Sequence, residues 1–440
     1  MTEIIALTHC LASHLSGTTL RQLRHMIFAL LCISGRVTTL GLSRWTEQGG
    51  SYRTLERWIQ TPLDWGVLLW TVVRVHLLDR DGKYVLAGDE VVVSKAGKTT
   101  HGLGRFYSSL AQRPIPGLSF LALSLVEVQR RRSYPLLVEQ RLPVKRAEKL
   151  TPAPKRERGR GRPKGSKNHV KAVPTLTPEL NLLAGMLRTI LARIAPLAVQ
   201  HVILDGFFGT SPAAWMVRDC GLHLISKLRH NAALYLPYTG RKPPRGPTPR
   251  YGDKLDYRHL PGDACCQTVT EGQLVTQTYQ FTALHKDFAD PLNLIAVVKT
   301  NLRTQKCAHV LLFSSDLSLS AGQIVDYYSL RFQIEFNFRD AKQFWGLEDF
   351  MNVSSTAVTN ATNLAFLMVN LSAVLLQPYR QHQPDFSVLD LKSHFRARRY
   401  LEETIKSLPD PPTAHLISRL WLRFSALGGI RPPAHLQDAA

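Results

Sequence analysis

The sequence predicts an α/β fold: a core of strands and helices, interrupted by a mostly β insertion and flanked by helical regions at both ends. Short β-type runs alternate with helical patterns in the first part of the core. Helical periodicity then disappears over a long stretch of alternating or apolar runs and returns afterwards. The predicted regions are a helical N-terminal domain at 1–78, the core at 79–234 and 319–380, the insertion at 235–318 and a helical C-terminal region at 381–440.

The chain is strongly basic. Among its 440 residues, 55 Lys and Arg stand against 33 Asp and Glu, a net charge of +22. This balance favours a polyanionic partner, nucleic acid above all, with an acidic membrane surface as the alternative. No uncharged apolar run reaches the length of about 18 residues that a membrane span needs, and the nearest, 361–376, predicts a buried helix. The N-terminus has no signal-peptide pattern, so we expect a cytoplasmic protein without a membrane partner.

The cysteine pattern contains no CxxC pair among its six cysteines. We expect reduced thiols, as in other cytoplasmic proteins. The alternative is a zinc site, although its two adjacent cysteines do not have the usual zinc spacing. Its ligands would be Cys265, Cys266, Cys307 and His309.

The N-terminal domain contains two short helical patterns that suggest a helix-turn-helix motif. A turn at 48–50 separates them, and Ser51 is placed to cap the second helix. In this interpretation Arg53, Arg57 and Trp58 lie near nucleic acid, and the domain binds DNA. The alternative is a helical bundle with no DNA contact.

Two aspartates end strands of the predicted core. The first strand, 83–90, ends in two acids, Asp89 and Glu90, and a buried strand that starts at His201 ends with Asp205. The stretch 94–109 is rich in Gly and basic residues and is predicted as a loop that approaches phosphate. Further strands are predicted at 118–128, 134–140 and 222–232, and helices at 177–195 and 211–221.

Residues 141–171 form a separate basic segment with 12 Lys and Arg against two Glu, a net +10. The central sequence RGRGRPKGSKN resembles an AT-hook, an extended segment that places arginines in the minor groove of A/T-rich DNA. The alternative is a flexible basic linker that binds phosphates without sequence preference. In both cases the predicted DNA contacts are Arg158, Arg160, Arg162, Lys164 and Lys167.

The stretch from Leu319 to Gly346 is predicted as one helix of about seven turns. Ser320 and Gln323 have the spacing of a capping box, and Gly346 is a stop signal. At about 100° per residue, four polar side chains fall within about 60° of one another, beside an apolar stripe. These four are Tyr328, Arg331, Glu335 and Lys342.

This polar arc suits phosphate chemistry, because a carboxylate can hold a divalent metal while cations and a phenol hold phosphate oxygens. The alternative is an amphipathic surface helix with i,i+4 pairs such as Arg331–Glu335. A lone acid after a strand is most often a turn former. Asp89, Asp205 and Glu335 together, in so basic a chain, favour a two-metal phosphoryl-transfer site.

The spacing of the four polar residues resembles the Tyr-Arg-Glu-Lys signature of bacterial insertion-sequence transposases, those of the fourth insertion-sequence family and its close relatives. The sequences LAGDEVVVSKAGK, VILDGFFG and FRDAKQFWGLEDF also resemble this group. The resemblance extends over about residues 80–350. Gly88-Asp89-Glu90 stands where the family frequently has an Asp-Asp-Thr type of sequence.

The resemblance implies a cut-and-paste DDE transposase with a ribonuclease-H-like core and a β insertion ahead of the final Glu. Asp89, Asp205 and Glu335 would be catalytic and would bind two Mg²⁺ ions, for which Mn²⁺ is expected to substitute. The reaction would be DNA cleavage followed by strand transfer.

The implied partner is double-stranded DNA, both transposon ends and target. Tyr328, Arg331 and Lys342 would hold phosphates of the terminal inverted repeats, with a homodimer in the synaptic complex. The protein would be associated with the nucleoid in a bacterial cytoplasm. Several relatives open a hairpinned DNA end with aromatic residues near the site, for which Trp345 and Phe207 are candidates here.

Two other functions compete with this one. A domesticated transposase that binds DNA without catalysis would need only the basic segment and the N-terminal helices. A nuclease on the same fold would cut DNA without joining it. The binding-only protein has no need for Asp89, Asp205 and Glu335 together, so the presence of all three favours an enzyme.

Overall fold

The structure is a computed structural model that describes residues 1–46, 50–108, 111–143, 173–410, 412–427 and 430. The predicted DNA contacts of the basic segment therefore lie outside the described residues, namely Arg158, Arg160, Arg162, Lys164 and Lys167.

The described residues form helices and strands that alternate along the chain. The helices are α1 (Thr2–Thr8), α2 (Gly17–Cys32), α3 (Thr39–Ser43), α4 (Tyr52–Ile59), α5 (Trp65–His76), α6 (Pro178–Ile194), α7 (Ser211–Asp219), α8 (Ala321–Leu330), α9 (Phe332–Trp345), α10 (Ser355–His382), α11 (Val388–Lys406) and α12 (Ala414–Ala426). The strands are β1 (Tyr84–Ser94), β2 (Gly104–Ser108), β3 (Arg113–Glu127), β4 (Arg132–Arg141), β5 (His201–Leu204), β6 (His223–Lys227), β7 (Leu234–Pro237), β8 (Tyr251–Lys254), β9 (Cys265–Glu271), β10 (Leu274–His285), β11 (Leu292–Asn301) and β12 (Cys307–Ser314).

The described strands belong to one large mixed sheet, which confirms the predicted α/β class. Its order is β2-β3-β1-β5-β6-β12-β11-β10-β7-β8, with β4 also paired to β3 and β9 to β10. The pairs β1–β5 and β5–β6 are parallel, and the other pairs are antiparallel. The strands after β6 continue this sheet through the β6–β12 pair.

Three predicted strand boundaries are wrong. Strand β1 continues past Asp89 to Ser94, because its second half pairs with β3 as far as Gly117. The predicted phosphate loop contains strand β2, which pairs with the start of β3. Strand β6 ends at Lys227, after which the chain leaves the parallel ladder. These boundaries depend on partners that are distant in sequence, which periodicity does not reveal.

The predicted long helix is also two helices rather than one, with Arg331 at the junction. The Arg331 N–H donates to the Tyr328 carbonyl three residues back, and the Ile334 N–H donates to the Arg331 carbonyl in the same tight pattern. The predicted ends are confirmed: Ser320 and Gln323 form a capping box, and Gly346 ends α9 with a positive φ of 78°.

Helices cover both faces of the sheet. On one face, α8 packs against Val85 and Ala87 of β1, and α9 and α10 share a core with the N-terminal helices. On the other face, α6 and α7 pack against Leu86 and neighbouring strands. Helix α10 contains the apolar run predicted as buried, and 78% of its most apolar window is buried inside the protein.

The N-terminal helices bury the aromatic residue that was predicted to face nucleic acid. Trp58 is only 1% exposed, and its indole N–H donates to the carbonyl of Thr19 at 3.3 Å. That prediction is wrong because Trp58 lies on the apolar face of α4, in the shared core. Arg53 and Arg57 lie on the exposed face of the same helix.

Candidate active site

Two carboxylates meet where strands β1 and β5 separate. The parallel pairing of these strands ends at Gly88 and Leu204. Asp89 and Asp205 are the next residue on each chain, so both lie at the fork. Because side chains alternate along a strand, Asp89 faces the same side as Ala87, towards α8 and α9. The sequence placed both acids at strand ends; the fork brings them together even though β1 continues.

The turn after β5 fixes Asp205. Its carboxylate accepts a hydrogen bond from the Phe207 N–H, and its carbonyl accepts one from the Ser226 hydroxyl at 2.8 Å. Gly209 allows this turn to lie against β6, because a Cβ there would overlap the carbonyl oxygen of Lys227. The acid is therefore held by a compact turn rather than by a flexible loop.

Helix α9 is anchored to the sheet beside this fork. The Asn337 amide donates to the hydroxyls of Ser124 at 3.3 Å and Ser133 at 2.8 Å. One and a half turns further on, the Lys342 ammonium donates to the carbonyl of Val92 on β1 at 3.0 Å. These two contacts fix the rotation of α9 and the side on which its carboxylate projects.

Arg331 connects the acids of the strand and the helix. Its guanidinium pairs with the carboxylate of Asp89 and, at 3.1 Å, with that of Glu335. The Asp89 and Arg331 side chains are 17% and 19% exposed, whereas Glu335 is 42% exposed. The structure therefore brings Asp89, Arg331 and Glu335 into direct contact, with Asp205 beside them.

In this cluster three carboxylates lie close to one cation, Arg331, and this arrangement shifts the pKa of its buried members. Burial raises the pKa of Asp89 to about 6; Arg331 opposes the shift, and the charges of Asp205 and Glu335 add to it. Burial likewise raises the pKa of the Tyr328 phenol, with Arg331 again opposing and Asp205 adding. Tyr328 is thus part of the same cluster.

The donor set fits a hard divalent cation in its chemistry. All three acids supply carboxylate oxygens, the ligands that Mg²⁺ prefers, and Asp205 and Glu335 lie near enough for their charges to raise the pKa of Asp89. Within the described residues, however, no three His, Cys, Asp or Glu side chains are close enough to hold a metal ion as they stand. Arg331 lies between Asp89 and Glu335, so metal binding requires this guanidinium to move.

The alternative zinc site has no support among the described residues. Cys265, Cys266, Cys307 and His309 form no metal-binding cluster among the residues that the structure describes. His309 instead stacks on Tyr257, with 4.9 Å between the ring centroids.

Glu90 takes no part in the cluster. It faces the opposite side of β1 and accepts hydrogen bonds from Ser119 and, at 2.8 Å, from Arg141. Arg141 also binds Glu179 at the start of α6, at 2.6 Å. These contacts close an ion network that fastens α6 to the sheet.

The remaining candidates differ in their surroundings. Lys342 is held by Val92 and, at 3.2 Å, by Glu348. Trp345 is 2% exposed in the core, so its proposed role at a hairpinned DNA end is wrong. Phe207 is 68% exposed beside Asp205 and remains accessible to a ligand.

Two functional positions were missed by the sequence interpretation. Asn337 anchors α9, and its signal was a polar residue on the apolar side of the helix. The Lys227 carbonyl, at the end of β6, lies against the turn that carries Asp205. The first signal was not specific enough to identify a role, and a backbone contact leaves no signal in the sequence.

The fold and the site define a DDE-type enzyme of the α/β class. A family model described as DDE superfamily endonuclease matches residues 10–288, more than half of the chain. The chain therefore belongs to this family, whose members generally use divalent metals and act on DNA. No curated protein matches it. The match includes Asp89 and Asp205 and ends before Glu335, which is linked to them by geometry alone.

Proposed function

We propose that the protein is an insertion-sequence transposase with the Tyr-Arg-Glu-Lys signature, which binds terminal inverted repeats and moves DNA by cut-and-paste cleavage and strand transfer. The observation that carries this proposal is the meeting of Asp89 and Asp205 at one fork, with Glu335 joined to them through Arg331. Three acids from distant parts of the sequence share one site, as two-metal phosphoryl transfer requires.

The strand order supports a ribonuclease-H-like core with an insertion before the last acid. The order β4-β3-β1-β5-β6 contains antiparallel strands on one side of β1 and parallel strands on the other. Asp89 lies on the central strand, Asp205 follows its parallel neighbour, and Glu335 lies on a later helix. Strands β7–β12 come between β6 and that helix, as the proposed insertion at 235–318.

In this proposal the acids of the cluster bind metal, and its cations and phenol bind phosphate. Asp89, Asp205 and Glu335 would hold Mg²⁺, or Mn²⁺ in its place. When bound, these ions supply the positive charge that activates water or a DNA 3′-hydroxyl and stabilises the leaving oxygen. Asp89 ionises to become a ligand, and its raised pKa makes that step sensitive to pH below about 6.

Arg331 has two roles in this proposal. Without DNA its guanidinium neutralises Asp89 and Glu335. With DNA it binds a phosphate of the transposon end, because a guanidinium pairs with phosphate as well as with carboxylate. Tyr328, from α8, and Lys342, further along α9, hold neighbouring phosphate oxygens.

The rest of the chain supplies DNA affinity. Arg53 and Arg57 project from α4 in the proposed helix-turn-helix, and the basic segment adds salt-sensitive contacts. A homodimer would bring two ends together for strand transfer. We propose that the protein works on the bacterial nucleoid.

The test is excision and reinsertion of a marker flanked by the DNA that borders this gene in its source genome. Wild type should move the marker, and Glu335→Gln should not, because the substitution removes a metal ligand and leaves the phosphate contacts. The matched control is Asp340→Asn on the same helix, whose carboxylate pairs with its neighbour Arg339. This variant should move the marker as wild type does.

Other outcomes distinguish the competing functions. Cutting of the flanks without reinsertion would indicate a nuclease on the same fold. Tight binding of the flanks with no cutting by wild type would indicate a DNA-binding protein without catalysis. If the Glu335→Gln variant moved the marker as well as wild type does, the assignment of Glu335 to the active site would be wrong.

A further inference from the structure

A basic cleft opens at the C-terminal end of α9, next to the candidate active site. It has a volume of about 500 Å³ and lies between the α2–α3 loop, α9 and α11. Four cations line it, and Asp349 is the acidic residue that lines it with them. The cations are Arg36, Lys342, Lys392 and Arg396.

Two of these cations are held rigidly by the ends of helices. The Lys392 ammonium donates to the Phe344 carbonyl at 3.0 Å, in the last turn of α9, and is only 7% exposed. The Arg396 Nε donates to the Cys32 carbonyl at 3.0 Å, at the end of α2. Cations at helix C-termini are favourable, so the fold itself places these charges. Within the described residues, the Nη groups of Arg396 have no partner.

The loop between α2 and α3 contributes further donors. Gly35 has a φ of +79°, and the N–H groups of Ser34, Gly35 and Arg36 make no hydrogen bond with any described residue. Successive N–H groups without a described protein partner are available to bind an anion. The Arg36 side chain is exposed and likewise has no partner among the described residues.

The acids nearby do not neutralise the cleft. Asp349 accepts a hydrogen bond from the Val37 N–H at 2.9 Å, and Glu348 pairs with Lys342 at 3.2 Å. Burial, followed by the charge of Arg396, lowers the pKa of Lys392 to about 8. Among the described residues, four cations and one acid line the cleft, and Glu348 offsets the charge of Lys342. The cleft therefore stays positive, as a binding site for an anion would be.

We propose that this cleft binds a backbone phosphate of the DNA strand that lies in the active site. The inference rests on the proposed function. Lys342 links the two places because it lines the cleft and also binds the carbonyl of Val92, three residues after Asp89 on β1. Glu335 and Lys342 are seven residues apart, or about 10 Å along α9 at about 1.5 Å per residue. Measured along a duplex axis, at about 3.4 Å of rise per nucleotide, this distance corresponds to at most about three nucleotides.

The roles within the cleft follow from its contacts. Arg36 and the Nη groups of Arg396 would pair with the phosphate oxygens, and the N–H groups of the α2–α3 loop would donate further hydrogen bonds to the phosphate. Lys392 would contribute its positive charge to the cleft while its ammonium keeps its hydrogen bond to the Phe344 carbonyl. Among the basic residues of α11, Lys392 and Arg396 line the cleft, whereas Arg398 and Arg399 pair with Glu402 and Glu403.

The experiment measures binding of the full-length chain to a short fluorescein-labelled duplex carrying the flanking DNA, by fluorescence anisotropy over a series of salt concentrations. Arg36→Ala should weaken binding several-fold and reduce the slope of log affinity against log salt by about 0.9, the value for one lost phosphate contact. Arg36→Lys should restore most of the slope. Arg303→Ala, on the exposed turn between β11 and β12, is the matched control and should keep the wild-type slope.

A second measurement locates the phosphate. Duplexes with one neutral methylphosphonate, placed at successive positions from the cleavage site, should bind wild type more weakly at one position within about three nucleotides of that site. The same position should have no effect with Arg36→Ala. The proposal that the cleft binds a DNA phosphate would be contradicted by an unchanged salt slope for Arg36→Ala. It would also be contradicted if the methylphosphonate weakened binding equally for wild type and Arg36→Ala.

A third arm separates a DNA phosphate from a free one. If inorganic phosphate raises the melting temperature of wild type more than that of Arg36→Ala while both bind DNA equally, the cleft takes free phosphate and the proposal fails. Failure of the cleft leaves cleavage dependent on Glu335. Failure of the proposed function appears instead as no cleavage by wild type, whatever Arg36 does to binding.

Discussion

Asp89 and Glu90 are neighbours on β1, yet their carboxylates are held in opposite ways. Glu90 faces α6 and belongs to a closed network in which Arg141 binds it and Glu179 together. Asp89 faces α9 and has one cation, Arg331, which it shares with a second acid while a third lies nearby. One residue along a strand separates a structural ion network from a candidate active site.

The pKa values of the two sides move in opposite directions. Burial opposes the shift of Glu179, but its own backbone N–H and Arg141 outweigh burial and lower its pKa. Burial raises the pKa of Asp89 to about 6, and one arginine does not compensate. Each side has one arginine shared by two carboxylates. Glu90 and Glu179 also accept hydrogen bonds from Ser119 and a backbone N–H, whereas Asp89 lies near the further charge of Asp205, which a metal or a substrate can offset.

The largest difference should appear in DNA cleavage. We expect Asp89→Asn to lower the cleavage rate by more than about 100-fold, because even outer partners of metal ligands cost about 10- to 100-fold when removed. Glu90→Gln should cleave within a few-fold of wild type, since Glu90 faces away from the fork. Comparable losses in a Mg²⁺-dependent cleavage assay would show that the two carboxylates are not separated in function.

The second difference is in how the free energy of unfolding depends on pH, measured in EDTA so that no metal is bound. The folded pKa of Asp89, about 6, exceeds the ordinary 3.8, so the folded state binds this proton more tightly than the unfolded state. Its contribution is therefore favourable at low pH and is lost as pH rises from about 4 to above 6. The shift corresponds to about 3 kcal/mol at about 1.36 kcal/mol per pKa unit.

Urea denaturation of wild type and Asp89→Asn at about pH 4 and pH 7 checks this expectation. Relative to Asp89→Asn, which has no such proton, wild type should lose stability across that range. A difference between the two proteins that stays constant with pH would mean that Asp89 is not strained by burial in the folded protein.

Much of this site was predictable because it is encoded locally. The capping box at Ser320, the stop at Gly346 and the buried apolar side of α9 follow from spacing alone. The acids Asp89 and Asp205 could be found because buried strands have a recognisable composition. Chemistry and charge then pointed to phosphate, and the fold class followed from the order of the elements.

What could not be predicted depends on contacts across the chain. Strand β1 runs past Asp89 because β3 pairs with it, and the predicted helix divides at Arg331, which pairs with an acid 242 positions away. Trp58 was predicted to contact DNA because it follows Arg53 and Arg57 in a possible helix-turn-helix of a basic chain, but it lies on the buried face of α4. Periodicity identifies a face of a helix and does not identify what covers that face.

The third test removes the cation of the network formed by Arg141, Glu90 and Glu179. Arg141→Met keeps the aliphatic stem but leaves Glu90 and Glu179 without their cation, and we expect a loss of about 2 kcal/mol in the free energy of unfolding. The control is Arg188→Met, whose ion pair with Asp219 is exposed and should contribute less than about 1 kcal/mol. Equal losses in urea denaturation would show that the network is no more stabilising than a surface pair.

The smallest effect concerns charges that serve DNA alone. Replacing Arg160, Arg162 and Lys164 with Ala should leave the free energy of unfolding unchanged and weaken DNA binding several-fold. The salt slope should fall by about 0.9 for each lost phosphate contact. A charge-matched control replaces the exposed Lys299, Arg303 and Lys306 of the β11–β12 hairpin with Ala, and it should keep the wild-type slope. Equal slopes for both triple variants would mean that the basic segment contributes only net charge, whereas a fall confined to the first would assign it direct contacts with the phosphates.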